Sequence, residues 1–237
     1  MRQWPQLDDA EKDRLGSLTQ RLLSKRWEAA RGFAIDDTMR LTVAAQAALL
    51  GLGHDDDLFA NVNSVVIHPT TMVLRGERPG PSPGVMTNRP LPALGHTSAH
   101  GPVFIAWDTV ERELRTPDRS SNVVLHEFAH KIDARNGMLD GTPPLADRDQ
   151  LAEWVEVCTA ELHALRSGRG DGTLSPYAAT NPAEFFAVTT EMFFEQPVTL
   201  RARKPGLYAA LSRFYGQDPA ARIVVGWPVQ TWTVTPP

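Results

Sequence analysis

Cysteine is nearly absent, since Cys158 is the only one in 237 residues. That excludes an intramolecular disulfide and any metal knuckle built from several thiolates. It also fits a reducing compartment. A cationic excess is missing too. Lys and Arg number 24 against 28 Asp and Glu, for a net charge of −4. Nothing in that balance neutralises a phosphate backbone, which argues against nucleic-acid binding as the main role. Long apolar runs are absent. The longest, Leu41 to Leu52, is interrupted by Thr42, Gln46 and Gly51, and it is too short to span a bilayer. Met1 to Asp9 holds neither an apolar core nor a small-residue cleavage site, so no signal peptide is expected. The expectation is a soluble cytoplasmic protein with neither nucleic acid nor membrane among its partners.

What is present is ordinary globular composition, 42% apolar and 22% charged, at a length that suits one domain with a sizeable core. Asp8 and Asp9 predict a helix cap and a helix running to about Leu23. A second helix follows Asp36 and Asp37 and stops at Gly51 or Gly53. Asn63 to Pro69 reads as a strand, with a shorter one at Thr71 to Leu74. Between Gly76 and Gly101 proline and glycine are dense and apolar periodicity is lost, which predicts a long loop. Pro102 to Trp107 reads as a strand, and Asp108 opens a short helix. Ser120 or Ser121 caps a helix from about Asn122 to Ala134. Further helices are expected from Asp147 to Leu165, from Asn181-Pro182 to Glu195, and from Pro205 to Tyr215. The tail from Ile223 to Thr235 reads as extended. The order of elements predicts an α+β domain, with a small mixed sheet packed by helices. One domain over 1–237 is expected, helical in about 1–60, with its core at about 61–220.

Chemistry concentrates in Val123-Val124-Leu125-His126-Glu127-Phe128-Ala129-His130, which contains the pattern H-E-x-x-H. A helix places His126 and His130 one turn apart on one face, where both imidazoles can reach one metal ion. Glu127 projects about 100° away, which suits a base acting on a water at the metal. The bland alternative is an amphipathic helix with two histidines on its polar face. A catalytic zinc takes three protein ligands and keeps one position open. The extended pattern with a third histidine is not met, because Asp133 and Asn136 stand where it needs glycine and histidine. Asp133 shares the histidine face. It suits either a partner that orients an imidazole or a salt bridge at the helix end.

Glu184 opens a segment that is otherwise apolar, with Phe185, Phe186, Ala187 and Val188 following. A carboxylate there needs a partner, and a metal is one. Asn181 and Glu184 also have the spacing of a capping box, so spacing leaves both roles open. Glu191 is a rival ligand on the same face, and Glu161 a weaker one. Tyr177 lies in a Gly/Pro-rich connection just before that helix. Its phenol can donate to a developing oxyanion or simply pack. His96 and His100 share an i, i+4 spacing but sit in a poor context for a helix, and they are not taken as a second metal site. Cys158 lies among apolar residues and reads as a core thiol.

His126 to Gly137 together with Tyr177 to Ala187 resembles the Mlc titration factor A family of bacterial zinc peptidases. Gly101 to Asp108 and Phe214-Tyr215-Gly216-Gln217-Asp218-Pro219 are similar to that family as well, and the likeness runs in order over roughly 20–220. The family's catalytic core is similar to that of anthrax lethal factor, another gluzincin-type protease. The resemblance implies a zincin-like fold and one Zn²⁺ per chain, held by His126, His130 and Glu184. It implies Glu127 as general base and Tyr177 as the group that stabilises the tetrahedral intermediate. It also implies aminopeptidase activity on a peptide or protein substrate. In its other role, the resemblance implies binding of a transcriptional repressor, Mlc, that controls glucose-uptake genes, with hydrolysis secondary.

A purely structural zinc is disfavoured, because structural sites are usually closed and rich in cysteine. The strand formed by Val103, Phe104, Ile105, Ala106 and Trp107 is expected to bind substrate backbone along its edge. The 76–101 segment before it is placed to cover the cleft.

Overall fold

Asp8 sets the first helix. Its side chain accepts a hydrogen bond from Glu11 N, and Glu11 reaches back to the Asp8 N–H, a complete capping box that starts α1 at Asp9–Leu23. The computed structural model describes residues 1–30, 32–55, 57–70, 72–74, 78–79, 86–87, 91–93, 101–116 and 120–224. After α1 the chain turns directly into a strand, β1 at Arg26–Ala29. Asp36 then caps α2, Asp37–Ala48, by accepting from Met39 N. The strand β2 follows at Ser64–His68.

Next come four short strands, β3 (Met72–Leu74), β4 (Arg78–Pro79), β5 (Met86–Thr87) and β6 (Leu91–Ala93). They pair antiparallel, β3 with β6 and β4 with β5. The stretch expected as one long loop therefore carries backbone pairing. His96 and His100 lie outside the described residues, as does most of the 76–101 segment.

The strand β7, Val103–Ala106, returns to the first sheet. That sheet has the order β1-β2-β7, and both of its pairings are parallel. The register sets Val65 opposite Val103 and Ile67 opposite Ile105. All four are fully buried, while their neighbours along each strand are only half-buried. The two-residue period thus gives this face to the core. Trp107 is not part of the strand. Ala106 is the last extended residue, and Trp107 begins α3, Trp107–Arg115.

The remaining chain is helical. It forms α4 (Val123–Asp133), α5 (Arg148–Arg166), α6 (Pro182–Glu195), α7 (Pro197–Arg203), α8 (Pro205–Tyr215) and α9 (Pro219–Val224). Ile223 and Val224 are thus helical rather than extended, and 225–237 lie outside the described residues. The helix α4 is central. It packs on β7, on α2 and on α6. The result is an α+β, zincin-like domain whose small sheet and two central helices share one core. Among the described residues no helix is long and apolar enough to cross a membrane.

Candidate metal centre

The cap of α4 is Asn122, not a serine before it. Its side-chain oxygen accepts from Val124 N and Leu125 N, both at 3.1 Å. Every residue from Val123 to Asp133 is buried, so this helix has no solvated face. His126, Glu127, His130, Lys131 and Asp133 therefore all sit in the interior, where polar groups persist only with partners. An amphipathic helix with solvated histidines does not describe it.

The partner of the two histidines arrives on α6. Asn181 caps that helix by accepting from Glu184 N at 2.9 Å, and Pro182 occupies its first turn. The Glu184 carboxylate does not return to the cap. Its Oε2 lies 3.0 Å from His126 Nε2 and 3.5 Å from His130 Nε2. The two Nε2 atoms are 3.2 Å apart. The capping box is therefore only half made: Asn181 caps the Glu184 N–H, while the Glu184 carboxylate joins the histidines instead of closing the box. Ligand atoms on a tetrahedral zinc with bonds of roughly 2.0–2.1 Å stand about 3.3 Å from one another. The three donors match that spacing. Among the described residues, His126, His130 and Glu184 are the group whose ligand atoms converge in this way.

The opposite edge of the His126 ring is also fixed. Its Nδ1 lies 2.7 Å from Glu191 Oε1, and Glu191 Oε2 accepts from Asn122 N at 2.6 Å. With Nδ1–H donated to Glu191, the Nε2 lone pair faces Glu184 and His130, as a metal requires. Burial opposes charge on His126, but Glu191 and Glu184, with Glu127 adding to them, hold its pKa well above the ordinary value. Burial would likewise raise Glu184, but the hydrogen bonds of the two imidazoles outweigh it and keep that carboxyl far below its usual range. Glu191 is thus a carboxylate behind His126 and not a member of the converging set. Glu161 pairs with Lys204 at 2.9 Å instead. Asn122 carries the network outward, donating from Nδ2 to Gln46 Oε1 and Glu195 Oε1, both at 2.8 Å.

Glu127 is fully buried, and its charge is felt by His126, Lys131 and Tyr177. Tyr177 stands on a 3-10 turn, Pro176–Ala179. Its ring centre is 6.1 Å from that of His126. Burial and the neighbouring Glu184 carboxylate push its phenol above the ordinary pKa, so the hydroxyl keeps its proton and can donate.

Asp133 makes no hydrogen bond to either imidazole, although the His130 charge is felt by it. Its Oδ2 accepts from Gly141 N at 2.9 Å, and burial pushes its pKa up to about 6. Among the described residues His130 Nδ1 has no hydrogen-bond partner. Gly141 sits at φ +78, and a Cβ there would collide with the carbonyl of Pro182. The Asp133–Gly141 bond therefore ties the end of α4 to the start of α6. The sequence reading also leaves out Lys131, a fully buried cation whose Nζ donates to Gly101 O. Burial brings its pKa down to about 8, against the opposing charge of Glu127. Its spacing of four from Glu127 is the signal that could have found it.

The strand β7 ends the sheet order, so among the described residues its second edge has no strand partner. Val103 and Ile105 are turned into the core, and Phe104 and Ala106 are half-buried.

Residues 1–216 match the family described as glucose-regulated metallo-peptidase M90. The chain belongs to that family. Its relatives include Mlc titration factor A of Serratia proteamaculans, 32% identical over 225 residues, covering 92% of this chain and 84% of the relative. Mlc titration factor A of Edwardsiella ictaluri is 33% identical over 229 residues, covering 92% and 84%. The uncharacterized protein slr2042 of Synechocystis is 29% identical over 221 residues, covering 91% and 80%. Membership of the M90 family implies a metal, and the His126–His130–Glu184 cluster is where the donors for one converge.

Proposed function

We propose that this chain is a zinc-dependent peptidase, acting in the cytoplasm on a peptide or protein substrate. The observation that carries the reading is the convergence of His126, His130 and Glu184 from two separate helices, with Glu127 next to His126 on a fully buried turn. One Zn²⁺ per chain, held by those three side chains, would supply Lewis acidity toward the scissile carbonyl and the attacking water. Glu127 takes a proton from that water and passes it to the leaving amine. Tyr177 donates a hydrogen bond to the oxygen on which charge develops. The outer edge of β7 takes substrate backbone as an added strand.

The test is a digest of a peptide mixture by the zinc-loaded protein and by Glu127→Gln, read by mass spectrometry. The expected result is cleavage by the first and a fall of about 10²–10⁴ in kcat for the second, with one zinc in each. The fragments also reveal whether cleavage starts from the amino terminus. Full activity in Glu127→Gln would remove Glu127 from its role. No cleavage by the zinc-loaded protein would sink the peptidase reading.

The name shared by two of the relatives, Mlc titration factor A, supports a second reading, in which the chain binds a repressor protein and hydrolysis is secondary. A pull-down of such a repressor with Glu127→Gln separates the two. Retained binding supports the second reading, and no binding by either form removes it.

A further inference from the structure

A cavity of about 350 Å³ opens beside the converging donors. His126 and Tyr177 are among the residues that line it. Its other walls include Val123, Leu174, Val188 and Met192, all of them buried. Val188 stands four residues after Glu184, so it lies one turn further along the same face of α6. The cavity is at the small end of ligand pockets, which run from about 300 to 1,000 Å³. It has room for one side chain, not for a folded partner.

The two carboxylates on its walls are held by other protein groups. Glu191 spends one oxygen on His126 and the other on Asn122 N. Glu113 accepts from Val123 N at 2.9 Å and is faced by the Arg112 charge. Arg112 itself donates to Thr109 at 3.1 Å. Both carboxylates on the walls are thus engaged by protein groups, and neither is free to pair with a cationic side chain.

We infer that this cavity is a specificity pocket that takes an uncharged apolar side chain, of leucine, methionine or phenylalanine size, from the residue beside the scissile bond. The inference rests on the peptidase reading for its place in catalysis. Its physical basis is separate: burial of an apolar group against four apolar walls, directly next to the donor cluster.

The test has two arms. In the first, peptides that differ only in the residues flanking the cleaved bond are digested by the zinc-loaded protein and by Val188→Phe and Met192→Ala. Val188→Phe fills the pocket and should lower cleavage of leucine-bearing relative to alanine-bearing peptides about tenfold. Met192→Ala enlarges it and should shift preference toward phenylalanine and tryptophan. Melting temperatures confirm that each variant is folded. In the second arm, N-acetyl-leucinamide and N-acetyl-aspartamide are titrated into metal-free protein while the methyl signals of Val188, Leu174 and Met192 are followed by NMR. The leucine probe should move them and the aspartate probe should not.

No cleavage of any peptide overturns the peptidase reading, and the methyl signals then decide the pocket alone. Cleavage without an apolar preference, or a preference unmoved in folded variants, overturns the pocket and leaves the peptidase. A preference for lysine or arginine overturns it as well and assigns the cavity to Glu113.

Discussion

Glu191 and Glu184 grip the two nitrogens of one imidazole. Glu191 Oε1 is 2.7 Å from His126 Nδ1, and Glu184 Oε2 is 3.0 Å from His126 Nε2. The two acids are seven residues apart on α6, so a single helix supplies both the group that joins the ring where the three donors converge and the group on its opposite edge. Glu191→Ala should weaken metal binding about 10- to 100-fold, with the fold intact. Competition against a chelator measures this, and unchanged affinity would refute the orienting role.

Substitutions of Glu184 and Asn181 are expected to separate metal binding from helix formation. Glu184→Ala removes the carboxylate but keeps the N–H that Asn181 caps, so zinc content should fall below one per chain while α6 persists. Asn181→Ala should do the opposite. It should cost about 0.5–2 kcal/mol of stability in denaturant unfolding, with zinc still bound. Zinc content that follows the cap rather than the carboxylate would contradict this assignment.

Tyr177→Phe keeps the ring beside His126 and removes only the hydroxyl. The expected fall in kcat is about 10²–10³, at unchanged zinc affinity. A raised KM with normal kcat would make Tyr177 a packing residue.

Gly141→Ala tests the link between the two site helices. Positive φ alone costs about 1–3 kcal/mol for a residue with a Cβ, and the collision with Pro182 adds to it and displaces α6. Gly172→Ala is the control, because Gly172 shares φ +78 but has nothing within 4 Å of the added carbon. Urea midpoints should fall further for Gly141→Ala, and only that variant should lose zinc affinity.

Glu113 predicts a pH dependence of stability. Burial, with the Glu191 charge adding, pushes its pKa up to about 7 in the folded chain, against the Arg112 charge and a bond from Val123 N. The unfolded chain releases this proton near the ordinary value, so between about pH 4.5 and 7 the folded state binds more protons. Stability from this group therefore falls as pH rises through that window, by roughly 1–3 kcal/mol. Glu113→Gln keeps an acceptor for Val123 N and should flatten this slope and unfold later at pH 8. An unchanged slope would show that Glu113 titrates normally.

The helices were legible where a cap and a 3.6-residue period coincide. Asp8, Asp36, Asp147 and Asn181 are N-caps, and Pro205–Tyr215 keeps its bounds. The strand β1 was not legible, because it is only four residues long and its burial does not alternate, so neither an apolar run nor a two-residue period marks it. Its pairing with β2 decides it. The burial of α4 was hidden as well, because five polar residues in eight imitate a solvated face until three neighbouring elements cover them. The place of Glu191 depends on which side of the imidazole it reaches, and sequence distance does not encode that. Asp133 has the right spacing to face His130 but bonds Gly141, whose position depends on a loop closing back on α6.

The bond from Lys131 to Gly101 joins the chain just ahead of β7 to the helix that carries His126, Glu127 and His130. When α4 shifts, the root of the strand is carried with it. The beginning of β7 is therefore tethered to His126, Glu127 and His130 by a side-chain contact of its own, in addition to the pairing of β7 with β2.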